Sequence, residues 1–455
     1  MNSMTNIEQL KHHTTHLEGG GKIVILDSGA VLTAEMTSML QALHSRSTGG
    51  IDAHLQVLAE RGAEKFMKTY YVGYGHKSIG DCGTAVVFIE GVSMLAAKAI
   101  QDSPLYNGQE ASTRYIPFDR QPIINPLKTA AGTAVLENWR VFYLKAVEEM
   151  KAELPNRYPL AEGEDEKIYI NAINARAFDI CRGFLPAGTS TNLAWATTLR
   201  QFADRITIMR HHPLAEVREI ANKLEDAMIE VYENSFAKKR YEETENYLGG
   251  LAQENYYYHD AKSPEMAIVH DGINKVGLKP YFELINQRPP KTELPKWIGA
   301  YGVTSFAWTL DFGSFRDVQR HRAVAQRMPL LTSEIGFHDW YLNELTDSLK
   351  AAAVEFIETQ RIATLKLTAD KFISQYYLPM GYKISNFLTG DLAALTYLIE
   401  LRASNRVHPT LAFQAEKMGQ LLEDKYGDLG VKLHIGEVTG RFDINRGKDT
   451  ITKIE

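Results

Sequence analysis

The sequence predicts an α+β protein made of two helix-rich halves, each with a small antiparallel sheet. Three observations predict it. At 455 residues the chain is too long for one ordinary core. It also echoes itself. Phe184-Leu185-Pro186-Ala187-Gly188 returns as Tyr377-Leu378-Pro379-Met380-Gly381, and His211-His212-Pro213 returns as Val407-His408-Pro409. Gly83-Thr84-Ala85-Val86-Val87-Phe88 returns as Gly302-Val303-Thr304-Ser305-Phe306. The offset is about 219 residues upstream and about 195 downstream, so an insertion lies between the matched pieces of the first half. Third, helical hydrophobic spacing fills most of each half, while short β-branched runs stand at matching places.

Taken in order, residues 1–20 hold no apolar run long enough for a signal peptide and read as a disordered tail. His12, His13 and His16 fall in it, and no metal site is assigned to them. Residues 22–26 (KIVIL) form a short apolar strand. Residues 33–45 set Met36, Met39, Leu40 and Leu43 at helical spacing. Residues 84–90 and 303–310 are the better strands, each just ahead of the arginine cluster or its counterpart. Residues 136–150, 202–228 and 413–426 read as amphipathic helices. A charge run, Gly249-Gly250 and Tyr256-Tyr257-Tyr258 mark 241–262 as a connecting segment between copies at 21–240 and 263–455. Interface packing is the expected role of the tyrosines.

Composition narrows the function. Hydrophobic residues make up 44% of the chain, which describes a folded protein. A net charge of −6 excludes general binding to nucleic acid or a membrane surface, so any basic site is local. Two cysteines, Cys82 and Cys181, with no CxxC, exclude a disulfide framework or structural zinc and fit a reducing cytoplasm. No stretch approaches the ~20 apolar residues that span a bilayer.

Against that acidic background Arg320-His321-Arg322 stands out, with Arg316 and Arg327 nearby. Such a cluster repels itself unless an anion sits among it, and guanidinium forks match phosphate. Arg316 and Arg320 are four apart and on a helix would share a face. The apolar run from Phe306 to Phe315 argues that the cluster ends a buried element rather than lying on a solvated patch. In the first half, His76 sits between glycines in Tyr74-Gly75-His76-Lys77-Ser78-Ile79-Gly80. Asn107 to Tyr115 is dense in small polar groups around Arg114, which suits a phosphate or a pyrimidine edge.

In this order the pieces resemble the flavin-dependent thymidylate synthases, the ThyX family. That family has a Gly-His-x-Ser segment, a Phe…Gly-x-Ser strand end, and an Arg-His-Arg with a following Ser-x-Arg-Tyr. It continues with an Ala-Arg-x-x-Leu-Pro segment and an Asn-x-Arg helix ending in Leu-Arg. The likeness covers roughly residues 70–235 and, more faintly, 300–425, so the chain is similar to two fused ThyX copies. The copies keep different parts. The first keeps Gly75-His76, Ser112, Arg114, Tyr115, Arg182 ahead of Leu185-Pro186, and Arg200 after Thr198-Leu199, but has Asp102-Ser103-Pro104 where Arg-His-Arg belongs. The second keeps Arg320-His321-Arg322 and Leu401-Arg402, but has Leu330, Thr332-Ser333 and Gln375 where the family has Ser, Arg-Tyr and the Leu-Pro arginine.

The resemblance implies FAD held by Arg320, His321, Arg322, His76 and Arg200. It implies dUMP, or a related pyrimidine nucleotide, held by Ser112, Arg114 and Arg182, with Arg402 as the catalytic arginine against the uracil. Methylenetetrahydrofolate and NADPH complete the implied cofactors. Family sites form between subunits, so a homodimer of two-domain chains imitating a tetramer is expected. Three function classes remain open on sequence: a dUMP methylase, a flavin or nucleotide binder with altered or lost activity, and a cofactor-free paralogue. Cys181 could be activated by Arg182, but a buried structural thiol is the expected role.

Overall fold

The computed structural model describes residues 12–26, 32–47, 50–111, 118–256, 262–327 and 330–436. The chain divides into two compact units that are not contiguous stretches: 1–113 with 189–256, and 114–188 with 257–455. The contiguous copies expected at 21–240 and 263–455 stay a proposal. Residues 257 and 258 of the tyrosine run lie outside the described residues.

The first unit is built on a five-stranded antiparallel sheet. Its strands are β1 (His12–His16), β2 (Lys22–Leu26), β3 (Thr84–Ser93), β4 (Asn107–Glu110) and β5 (Ser190–Thr198), in the spatial order β1-β2-β3-β5-β4. The register sets Ile23 opposite Ile89 and Ile25 opposite Val87, and all four are fully buried. A period of two has therefore put one face of these strands into the core. His12–His16, expected in a disordered tail, instead pairs along β2. The run expected as one helix at 202–228 is two, Leu199–Met209 and Ala215–Val231. Pro213 accounts for the break, since it lacks a donor and disfavours helix in the residue before it. The expected connecting segment forms the helix Glu242–Tyr256, where Glu245 receives Arg210 at 2.7 Å and lies 2.9 Å from His211. The helix Ala34–His44 starts at Thr33, whose side chain accepts from the Met36 amide. With Gly50–Arg61 and the π-turn Met67–Gly73 it encloses Met39, Leu58, Met67, Tyr71 and Ile79.

The second unit has a four-stranded antiparallel sheet: β6 (Met266–Asp271), β7 (Thr304–Asp311), β8 (Ala325–Arg327) and β9 (Lys383–Gly390), ordered β6-β7-β9-β8. Without β1, the first sheet reads β2-β3-β5-β4, the same order of chain positions. β7 is buried on both faces, with Phe306, Trp308 and Leu310 covered on one and Ser305, Thr309 and Asp311 on the other. The helix Ala130–Arg157 stacks on Asp347–Leu367 through Phe142 and Phe356, whose centroids are 4.5 Å apart.

The echoed Leu-Pro segments pair with each other inside this unit. Ala187 N donates to Leu378 O at 2.8 Å, and Met380 N donates to Leu185 O at 2.8 Å. Gly188 N donates to Tyr376 O at 3.0 Å, and Gly381 N donates to Gly183 O at 2.8 Å. Each bond has a mate in which the two segments exchange roles, as across a two-fold axis. At this crossing a Cβ on Gly188 would stand 2.8 Å from both Ile124 O and Tyr376 O. Gly188→Ala is therefore expected to lower stability by about 1–3 kcal/mol, read from the urea midpoint. An unchanged midpoint would show that the crossing has slack.

Candidate functional site

Asp311 ends β7 and caps the helix Phe312–Val318, accepting from Ser314 N at 2.9 Å. That helix stops before Arg320, so Arg316 and Arg320 do not share a helical face. The chain then turns, and Gln326 holds the turn by donating to Val318 O and His321 O, each at 2.9 Å. Arg320 and Arg322 are exposed while His321 between them is buried. Arg402 closes the helix Leu392–Arg402 and meets this turn from the other side. Its Nε donates to His321 Nε2 at 2.8 Å, and its Nη2 donates to Asp317 O at 2.7 Å. Tyr397 lies edge-on to the imidazole at 5.9 Å. Burial, then the Arg402 charge, push His321 down to about 3, so its ring is neutral. Burial and Arg320 lower Arg402, opposed by Asp317, and the guanidinium keeps its charge. The result is a half-buried, doubly anchored arginine beside two exposed ones. This arrangement suits an anion next to a planar carbonyl compound.

Arg182 belongs to a different group of side chains. It is buried and donates through Nη2 to Ser314 Oγ at 2.6 Å. Ser314 Oγ is 2.8 Å from Thr410 Oγ1, and Tyr341 OH donates to Asp311 at 2.8 Å. His408 Nε2 donates to Asp179 O at 3.0 Å, which leaves Nδ1 to accept from Thr410 Oγ1 at 2.8 Å. Burial would raise Asp311, but His408, Arg182 and His338 together hold it below the usual carboxylate range. Burial keeps His408 itself neutral, so Arg182 is the charge that matters. Cys181 is fully buried beside this group, and burial pushes its thiol up, as a structural thiol requires.

In the first unit His76 is exposed at the start of Lys77–Gly80, its Nδ1 3.4 Å from Arg46 Nη2 and its ring 6.5 Å from Tyr70. Gly75 before it has φ +68, open to glycine without strain. Arg200 donates to Asp81 at 2.7 Å and lies 3.5 Å from Asp204, which is 3.8 Å from Lys77. These half-exposed pairs add little stability. At Asp102-Ser103-Pro104, the counterpart expected from sequence for Arg320-His321-Arg322, Lys98 pairs with Asp102 at 2.7 Å. Ser112, Arg114 and Tyr115 lie outside the described residues. Of the expected site residues, the structure brings His321 and Arg402 into contact and gives Arg182 other partners. Sequence reasoning missed Gln326, Asp311 and Tyr341. Only Asp311 carried a signal, as the polar end of a strongly apolar strand.

Residues 31–233 match the family model Thy1, thymidylate synthase complementing protein. This segment is similar to that family. Three curated relatives align along most of the chain. A UPF0159 protein of Chlamydia pneumoniae is 26% identical over 406 residues, 76% of each chain. One from Chlamydia muridarum is 24% identical over 405 residues, again 76% of each. One from Thermoplasma acidophilum is 25% identical over 421 residues, 77% of this chain and 84% of that one. A solved structure of a UMP/dUMP methylase, PolB, from Streptomyces cacaoi with 5-Br UMP aligns at 15% identity and a TM-score of 0.30, covering 51% of this chain and 97% of that one. A likeness of that degree says nothing of the chemistry here. Among the described residues no helix is long and apolar enough to cross a membrane.

Proposed function

We propose that this chain is a flavin-dependent thymidylate synthase-like enzyme that methylates dUMP, or a close pyrimidine nucleotide, at C5. The observation that carries the reading is Arg402: a charged guanidinium, half-buried and fixed from two sides, beside exposed Arg320 and Arg322. The exposed pair fits the phosphates of FAD, and His76 with its aromatic neighbours fits a flat ring. Bound flavin would supply hydride and methylenetetrahydrofolate the carbon, with NADPH as reductant. The chain's own part is to orient the nucleotide and to place a cation at the uracil carbonyls, where negative charge develops. Ser112 and Arg114 belong to the proposed nucleotide set, and Arg200 to the flavin set. Arg182, committed to Ser314, is left out. A homodimer is part of the same proposal.

One observation favours a second reading, a paralogue that binds flavin or nucleotide with altered or lost activity. The Lys98–Asp102 pair stands where a second arginine cluster would be, so the first copy cannot clamp a phosphate there.

Two measurements test this. Purified chain incubated with FAD should show bound flavin absorbance, and Arg322→Ala should weaken uptake by roughly tenfold or more, the scale of a charge-assisted hydrogen bond. Wild-type uptake by that variant would move the flavin elsewhere. With reduced FAD and methylenetetrahydrofolate, dUMP tritiated at C5 should release tritium. Flavin binding without release selects the second reading, and neither selects a cofactor-free protein.

A further inference from the structure

The contact between Arg402 and His321 admits only one form of the imidazole. An arginine Nε–H can donate and has no lone pair to offer. At 2.8 Å, His321 Nε2 must therefore bring the lone pair. An imidazolium has none on either nitrogen, and the Nε2–H tautomer would set two donors face to face. The ring is therefore neutral with its proton on Nδ1.

The surroundings agree. Asp317 is the carboxylate that favours the cation, while burial and Arg402 oppose it, and Arg320 and Tyr397 act on Arg402 rather than on the ring. The ring is also held still. It is 7% exposed, its backbone N donates to Val318 O at 2.9 Å, and Gln326 binds its carbonyl. His321 thus adds no charge for an anion. It takes Arg402 Nε from one side while Asp317 O takes Nη2, and two anchors on a planar guanidinium fix both its place and its plane. The Nη1 side is the part that neither anchor engages.

We propose that His321 is a positioning residue: its neutral Nε2, together with the Asp317 carbonyl, aims the Arg402 guanidinium at a planar ligand bearing carbonyl or oxyanion oxygens. Under the reading above, on which this inference rests, that ligand is the uracil ring of a pyrimidine nucleotide. Arg320 and Arg322 then carry the phosphate charge alone.

The test uses the full chain with histidine labelled by 15N in the ring, and His321→Gln to assign the signal. His321 should show the Nδ1–H tautomer at pH 7 and keep it to pH 5.5. An imidazolium, or a proton on Nε2, at pH 7 overturns the proposal. Calorimetry with dUMP reads the consequence. His321→Ala should weaken dUMP by roughly tenfold or more, the loss of one hydrogen bond to a charged group. His321→Gln, which still offers a neutral oxygen acceptor, should recover to within about threefold of wild type. Equal affinity in wild type and His321→Ala overturns the aiming role, as does a Gln variant no better than Ala. Wild-type chain that binds no dUMP overturns the choice of ligand and the reading beneath it, while the tautomer still decides how Arg402 is held.

Discussion

Arg182→Met is expected to lower the stability of the folded chain by about 3–5 kcal/mol, the cost of leaving a buried charge without its partner. Asp311 is wholly buried, and its carboxylate accepts from Ser314 N and from Tyr341 OH. Neither donor carries charge. Arg182, buried and tied to Ser314 Oγ, is the cation that keeps the carboxylate ionised. Methionine fills similar volume and removes the charge, so the loss is electrostatic rather than a cavity effect. Asp311→Asn in the Arg182→Met background removes the stranded charge and should cost much less than the two single losses added, since the sites share Ser314. Urea unfolding checks this through a lower midpoint at unchanged slope. A loss under about 1 kcal/mol would show that water or relaxation already screens Asp311. The same variant separates two roles for Arg182. On the present reading its affinity for dUMP stays near wild type, and a selective loss of affinity in a folded variant would return Arg182 to the nucleotide site.

The sequence carried the elements well where burial has a period. β2 and β3 were legible because Ile23, Ile25, Val87 and Ile89 alternate with half-exposed residues. The Leu-Pro echo was legible too, and its meaning became plain only in three dimensions, where the two segments exchange hydrogen bonds. β1 was not legible. His12–His16 has no apolar alternation, and its strand state comes from pairing with β2 rather than from propensity. Nor could the sequence say that 114–188 folds with 257–455. The apolar stripe of Ala130–Arg157 says that one face is covered, not which partner covers it. The site shows the same limit. Arg-His-Arg reads as three cations in a row, yet the middle one turns inward and meets a residue 81 positions away. Tripeptide composition cannot report that inversion, because it depends on the turn pinned by Gln326 and on where Leu392–Arg402 ends.

Acidification should unfold this chain well before its carboxylates titrate. His212, His321 and His408 are 5%, 7% and 1% exposed. Burial is the first cause that holds each neutral, with Lys98 and Arg205 adding to it at His212, Arg402 at His321 and Arg182 at His408. Their hydrogen bonds demand the same state, since Leu214 N donates to His212 Nδ1 at 3.1 Å and Arg402 donates to His321. In the unfolded chain such histidines titrate near pH 6.5. Below that pH the unfolded state binds protons that the folded state refuses, so stability rises with pH and falls as pH drops. Each such histidine removes about 1.4 kcal/mol per pH unit once its unfolded form is charged. Three together approach roughly 4 kcal/mol per unit, against a total stability of about 5–15 kcal/mol. His338, lowered by burial, acts in the same direction. Glu35, raised by burial, works the other way near its ordinary value of 4.5, one group against several and at lower pH. Urea midpoints taken from pH 7.5 to pH 5 should fall steeply below pH 6.5, and His321→Gln should reduce the slope by about a third. A flat profile down to pH 5 would mean that these rings reach protons without unfolding, which would also dissolve the clamp on Arg402.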